Sequence, residues 1–421
     1  MNAQSNPFLF ESAALTHLPN YGVVKTTQLA GYLSVGDSAG GWLYFCFSEA
    51  SANPAQAPLL LWVNSHPRDS APASLFDEHG PYLLDGNGRV YGNPFSWHHH
   101  VNYLVIDQPL GRGLSFSIHP RYLPESHDEA CQQLYHALQE FLLRWPAYRQ
   151  QDFYLFGSGA AGHTIARLAN CILDGNGCGQ PEIRLKGLGL GNGQVSPKIQ
   201  LPSHIEYARQ HRLINAEEEK RALEMLADFH DAHASPIPLR RSQASRSARE
   251  IEDYIQQCSG RDKHDIRHPP GDGRQRVDEY LAKPSAHQAL HIDPRSRNEL
   301  QPAPQQLSEA AWLDDSSHLF PRLLDQLKVL LYHGECCMEG NYLGMDAWLN
   351  TLLWQQAPDF REQKLQPWRP YGLPAGLIRR HRRLSQVIIQ NAGLRVARDQ
   401  PAIALAMLKN FLGEETDDAE P

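Results

Sequence analysis

The residues whose types and spacing could do chemistry lie first of all in one turn. Asp152-Phe153-Tyr154-Leu155-Phe156 is an apolar run, Gly157-Ser158-Gly159-Ala160-Ala161-Gly162 is glycine-rich, and Ile165, Leu168, Ala169 and Ile172 then recur at helical spacing. This predicts a strand, a sharp elbow and a helix. Such an elbow lifts the residue at its tip above a sheet, beside peptide N–H groups that can stabilise an oxyanion. The tip position is Gly159, which has no side chain to attack anything. Ser158, one residue off the tip, is expected to point sideways. The Ala160 N–H remains a candidate oxyanion donor, because a peptide N–H does not depend on the side chain beside it.

A second cluster is His333 with Cys336 and Cys337. A thiol whose ionisation is eased by a neighbouring imidazolium is a nucleophile, whereas a buried thiol behaves as a small apolar group. Both readings stay open at this point; in the second, Cys337 packs against Leu394. His98-His99-His100 is not a metal signature, since on a strand alternate residues face opposite sides. We expect no metal and no cofactor, and a structural role for His163.

Seven scattered cysteines, an odd number with wide spacing, suit reduced thiols in a cytoplasm better than a disulfide framework. The start of the chain shows no basic and apolar leader pattern, and no apolar run approaches the ~18 residues of a membrane span. The net charge of −8 offers no electrostatic footprint for nucleic acid, so neither nucleic acid nor membrane is an expected partner. Arg379-Arg380-His381-Arg382-Arg383 is a local exception, read as a solvated sheet edge.

The elements that must position these groups are legible as short apolar runs: 22–34 and 41–48 around a turn at Gly36-Asp37, then 58–64, 101–107, the elbow strand, 185–191, 327–332 and 384–390. Runs without alternation suit strands buried on both faces. Between them lie helical patterns, clearest over 126–145, where Ala130, Leu134, Leu138, Phe141 and Leu142 repeat and Pro146 closes the helix. Strands alternating with helices predict an α/β fold. The rhythm breaks at 196–283, which we expect to be a helical cap with helices at 204–211 and 216–230 and a loop-rich middle at 235–273. The expected organisation is a core in two parts, 1–195 and 284–421, around that cap, with a frayed acidic tail at 414–421.

Several motifs then fall in one order. They are Gly31-Tyr32-Leu33, Leu61-Trp62-Val63-Asn64 with Pro67, Glu78-His79-Gly80-Pro81, Asn93-Pro94-Phe95-Ser96-Trp97, Asp107 to Ser115, Gly191-Asn192-Gly193, Tyr280-Leu281 with Ala289-Leu290-His291, Tyr332-His333-Gly334, and Asp399-Gln400-Pro401 with Ala404-Leu405. The chain resembles the serine carboxypeptidase family over most of its length. That resemblance implies an α/β-hydrolase fold, with a central, mostly parallel mixed sheet flanked by helices and a helical cap insertion.

It also implies where a Ser-Asp-His triad should stand. The family's Gly-Glu-Ser-Tyr-Ala-Gly aligns with 157–162 and puts Gly159 at the serine. Its Tyr-x-Gly-Asp-x-Asp aligns with 332–337 and puts Cys337 at the aspartate. Its Gly-Ala-Gly-His-Met-Val-Pro aligns with 391–397 and puts Leu394 at the histidine. Acyl transfer on this template needs an attacking oxygen, an imidazole and an orienting carboxylate, so carboxypeptidase activity is not expected.

The family's glycine-rich oxyanion loop is Asn64-Ser65-His66-Pro67-Arg68-Asp69 here, and Asn64 and Glu78 match positions that bind a substrate carboxylate. Support of the loop by hydrogen bonds is the other reading of both. Candidate pocket residues are Asn64, Ser65, His66, Arg68, Asp69, Glu78, Ser158, Ala160, His333 and Arg395. Three functions follow. The first is a non-hydrolytic enzyme of specialised metabolism that cyclises, eliminates or isomerises a carbonyl or carboxylate compound. The second is an inert relative that binds a peptide, carrier protein or partner. The third is a residual hydrolase or acyltransferase using Cys337 or Ser158.

Overall fold

The structure, a computed structural model, describes residues 13–35, 40–64, 70–271, 275–297 and 314–414. The chain clusters into two units: 1–154 with 171–185 and 274–304, and 155–170 with 186–273 and 305–421. Of the expected insertion, 196–273 groups with the strands of the second unit and 274–283 with the first.

In the first unit, strands β1 (Gln28–Ser34) and β2 (Gly41–Ser48) pair antiparallel, β2 pairs antiparallel with β4 (Asn102–Ile106), and β3 (Leu59–Val63) runs parallel to β4. Every residue of β2, β3 and β4 is buried, which is why these runs show no alternation. Helix α1 (His127–Arg144) starts where Ser126 Oγ accepts from the Glu129 N–H. It buries Ala130, Leu134, Leu138, Phe141 and Leu142, as the spacing predicts.

Strand β5 (Phe153–Ser158) carries the chain from the first unit into the second and leads through the elbow into helix α2 (Ala161–Gly177). Strand β6 (Leu185–Gly191) follows. In the second unit β6 and β7 (Lys328–Gly334) are parallel, as are β7 and β10 (Leu384–Ile389). The antiparallel strands β9 (Gly376–His381) and β8 (Gln366–Trp368) complete that side. Strand β8 pairs only residues 376–378 of β9, so the arginine run begins just beyond that pairing, with Arg380, Arg382 and Arg383 exposed, as a solvated edge requires. Arg379 pairs with Asp346 at 2.8 Å, and Arg380 and Arg383 reach Asn410 and the Gln326 carbonyl.

Between β6 and β7 the chain folds helices α3 (Pro202–Gln210), α4 (Ala216–Ala234) and α5 (Pro238–Ser259). Helix α4 opens on a capping box of Asn215 and Glu218. The expected loop over 235–273 is corrected here: 22 of those residues form α5. Its apolar positions, Ala244, Ala248, Ile251 and Ile255, keep helical spacing and are fully buried with Leu226 and Phe229 of α4. Two of the four are alanine and the rest of the segment is polar, so the stripe is faint in sequence. No helix among the described residues is long and apolar enough to cross a membrane.

Candidate active site

The elbow is built by close backbone approach. Gly159 adopts a left-handed φ of 55°. Its N–H donates to Gly191 O and its carbonyl accepts from Gln194 N, both at 2.9 Å, so the end of β6 clamps the tip. A Cβ on Gly162 would lie 2.4 Å from Gln194 O, so only glycine lets α2 begin this close. Ser158 is the last residue of β5 and is partly buried, as is Ala160. His163 Nδ1 lies 2.8 Å from Ser316 Oγ, which gives it a structural contact in the helix's first turn.

The thiol and imidazole of the second cluster do not meet as a reactive pair. Cys337 is fully buried and its Sγ donates to Glu339 O at 2.6 Å. Burial, reinforced by the Glu339 charge, pushes the thiol well above its ordinary pKa. His333 is also fully buried, its Nδ1 is 3.2 Å from Gly340 O, and burial pushes the ring down to about 4. A neutral imidazole committed to a carbonyl gives a thiol no help in ionising. Cys336 is partly exposed, and burial raises it too.

Leu394 is partly buried in the loop after β10, and its N–H donates to His264 O at 2.8 Å. Arg395 is also partly buried and stands at the start of the short helix Val396–Asp399. Arg267 braces this loop. It binds Asp265 through Nε at 2.8 Å, Asp399 at 2.9 Å and Asn391 O at 2.5 Å, while Asp399 accepts from Gly393 N at 2.7 Å.

The first unit holds Asn64 and Glu78. Asn64 Oδ1 accepts from Trp62 Nε1 and Ser74 Oγ, each at 3.0 Å, so the loop-support reading is part of its role. Its Nδ2 is buried and has no hydrogen-bond partner among the described residues. Glu78 sits at a left-handed φ of 51°, and its backbone carbonyl accepts from Asn93 Nδ2 at 2.9 Å. The carboxylate is 3.9 Å from His79 Nδ1. That ring packs edge-to-face with Trp62 and tilted against Trp97, with centroids 4.2 Å away, and burial holds it down to about 3. It is therefore neutral, and its contact with Glu78 is not an ion pair at physiological pH. Ser65, His66, Arg68 and Asp69 lie outside the described residues.

The histidine run is in a 3-10 turn, Trp97–His99, rather than on a strand. The His98 and His99 rings pack 4.6 Å apart but bind different partners: His98 Nδ1 lies 2.6 Å from Ser96 Oγ, and His99 reaches Ser51 Oγ and Asn93 O.

Sequence reasoning missed a set of charged groups beside Cys337 and Leu394: His204, Glu252, Lys263, His264 and Glu339. No local spacing joins them, because they come from α3, α5, the loop after α5 and the loop after β7. Only Glu339, two residues past Cys337, was close to a motif.

The described fold is that of the α/β-hydrolases. It aligns with the crystal structure of Kex1Δp, a prohormone-processing carboxypeptidase from Saccharomyces cerevisiae, at a TM-score of 0.80 over 92% of each chain. At 19% identity that likeness concerns the fold. The sequence goes further: residues 19–414 match the serine carboxypeptidase family, and the chain belongs to it. It is 28% identical over 402 residues to serine carboxypeptidase S10 family member 1 of Dictyostelium discoideum, covering 92% of this chain and 94% of that protein. It is 27% identical over 407 residues to the probable serine carboxypeptidase CPVL of Rattus norvegicus, covering 91% and 82%.

Proposed function

We propose that this chain has given up acyl transfer and carries out a non-hydrolytic conversion, a cyclisation, elimination or isomerisation, of a compound bearing a carbonyl or carboxylate. The observation that carries the reading is the content of three motif positions. Gly159, Cys337 and Leu394 stand where the family's motifs place serine, aspartate and histidine. The surroundings support it. The glycine tip is tied down by its own backbone, the thiol is held protonated, and His333 is neutral and turned to a carbonyl.

Loss of a nucleophile removes the covalent intermediate and leaves positioning and polarisation as the means of rate enhancement. The buried Nδ2 of Asn64, which has no partner among the described residues, supports retention of a binding function, since a buried donor left unsatisfied costs about 1–3 kcal/mol. The ligand is a small molecule or peptide with a carboxylate or carbonyl, delivered free or on a carrier protein, in a cytoplasm.

The test is a carboxypeptidase assay run beside an untargeted conversion assay. Blocked dipeptides should release no carboxy-terminal amino acid above the uncatalysed rate. A pool of small carbonyl and carboxylate compounds should contain one converted without change of mass, or with loss of water. Release of amino acids would overturn the proposal. The inert-binder reading draws on the contact of segment 262–268 with the loops carrying Cys337 and Leu394; saturable binding without conversion would favour it.

A further inference from the structure

The missed residues form a connected chain that ends one residue from the elbow. Glu252 on α5 is fully buried, with one carboxylate oxygen 3.2 Å from His204 Nδ1 and the other 2.8 Å from Lys263 Nζ. Lys263 Nζ lies 3.6 Å from Glu339 Oε2 and 3.9 Å from Asp253 Oδ1. His264 Nε2 approaches the same Glu339 oxygen to 2.9 Å. The other Glu339 oxygen accepts from Gln194 Nε2 at 3.0 Å, and the Gln194 N–H donates to Gly159 O at 2.9 Å. An imidazole and a carboxylate are thus paired beside Leu394 and linked to the elbow through Gln194.

Backbone bonds hold the pair in place. Lys263 O accepts from Met338 N at 3.0 Å and Glu339 N at 3.1 Å, Ile266 N donates to Cys336 O at 3.0 Å, and His264 O accepts from Leu394 N at 2.8 Å. These contacts use main-chain atoms, so the His264 side chain is not needed for them. Its side chain is 38% exposed, whereas that of Glu339 is 17% exposed. Besides Glu339, the ring faces Asp262, whose Oδ1 is 3.4 Å from Nδ1. That oxygen also accepts the His264 backbone N–H at 2.8 Å. With Nε2 turned to Glu339, Nδ1 is the ring nitrogen left for proton exchange.

We propose that His264, oriented by Glu339, is the general acid–base group of this chain. It was recruited from the cap insertion and acts on a carbon acid, a compound with a hydrogen beside a carbonyl. This rests on the non-hydrolytic reading above. The step is a proton transfer. Nδ1 of the neutral ring takes the proton, the C–H electron pair passes into the enolate, and the imidazolium returns the proton to another atom of the same molecule. Isomerisation of this kind consumes no oxidant, reductant or water.

Glu339 stabilises the imidazolium through its charge, 2.9 Å from Nε2. Burial works against charge on the His264 ring, but the contact with and charge of Glu339 outweigh it and raise the pKa above its ordinary value, against opposition from Lys263. Burial alone would raise the Glu339 carboxyl, but Lys263 and His264 hold it below the usual carboxylate range. The ring therefore keeps its proton to higher pH than a free imidazole, and base action should grow as pH rises.

The test restores an attacking oxygen where the elbow lacks one. Wild type and Gly159→Ser are treated with a fluorophosphonate, alone and combined with His264→Gln, Glu339→Gln or Glu339→Asp. The expected result is labelling of Gly159→Ser at a rate rising with pH. It should fall about 100-fold or more with His264→Gln, in the range general-base catalysis contributes, and recover in part with Glu339→Asp. In Glu339→Gln the pH profile should shift to lower pH, which a merely structural Glu339 would not cause. Absence of labelling, or labelling indifferent to His264, overturns the proposal.

If Gly159→Ser does not fold, exchange of the pyruvate methyl hydrogens for deuterium by the unmutated chain decides, with His264→Gln expected to abolish it. Hydrolysis or labelling by the wild type would sink the non-hydrolytic reading instead, so the two failures are distinguishable.

Discussion

Among single residues, environment decides which of the suggestive side chains can react. Cys337 has the right chemistry for a nucleophile, but burial and the Glu339 carbonyl keep its proton on. Iodoacetamide should therefore label the exposed Cys178 of native protein first. Cys337 should label only after unfolding, as read by peptide mass mapping; rapid native labelling of Cys337 would contradict this account.

Asn64 has a structural task whatever it binds. Asn64→Ala removes the acceptor of the buried Trp62 Nε1 and leaves Ser74 Oγ its longer bond to Ser70 O. It should lower unfolding stability by roughly 2 kcal/mol in a denaturant titration.

Buried neutral histidines make a pH prediction. The His333 pKa is depressed to about 4 in the fold, so as pH drops below about 6.5 the unfolded chain takes up a proton that the fold refuses. The stability lead of wild type over His333→Gln should shrink by roughly 3 kcal/mol between pH 7 and pH 4. His264 works in the opposite sense. Its raised pKa contributes stability that is present below about 6.5 and lost as pH rises through the folded value. The residues at the motif positions were legible in the sequence because type alone settles what glycine and leucine cannot do. The protonation of Cys337 was not, because burial comes from residues far away in the chain.

Among elements, the cap hairpin shows where pattern reading fails. Helices α4 and α5 share a core of Ala222, Leu226, Phe229, Ala244, Ala248, Ile251 and Ile255. Small residues on α5 let the helices approach, and small residues leave little hydrophobic signal in a polar segment. Helix α1, with leucine and phenylalanine on one face and Ser126 at its start, was readable for the opposite reason. The fully buried Phe229 is the largest apolar side chain on the α4 face. Phe229→Ala should cost about 3–5 kcal/mol of cap stability. Hydrogen exchange should show it as lost protection in α4 and α5, with β7 and β10 unchanged; equal loss in those strands would mean the hairpin is not a separately destabilised element. The loop after α5 brings His264 to Leu394 and Glu339. No sequence period predicts a contact between positions 264 and 394.

At the scale of the whole molecule, the fold was legible because its strands are continuous apolar runs and its motifs keep their order along 396 matched residues. The division into units was not, since units form from contacts between distant segments, as when 274–304 joins the first strands. A shared fold does not by itself fix an activity.

The central claim, that no acyl-enzyme forms, is tested most directly by intact-mass measurement of the native protein after incubation with a fluorophosphonate and, separately, with an activated ester of a blocked amino acid. The account predicts an unchanged mass in both. A stoichiometric adduct on any side chain of the elbow or of the loops after β7 and β10, formed by the native protein and absent after unfolding, would contradict it.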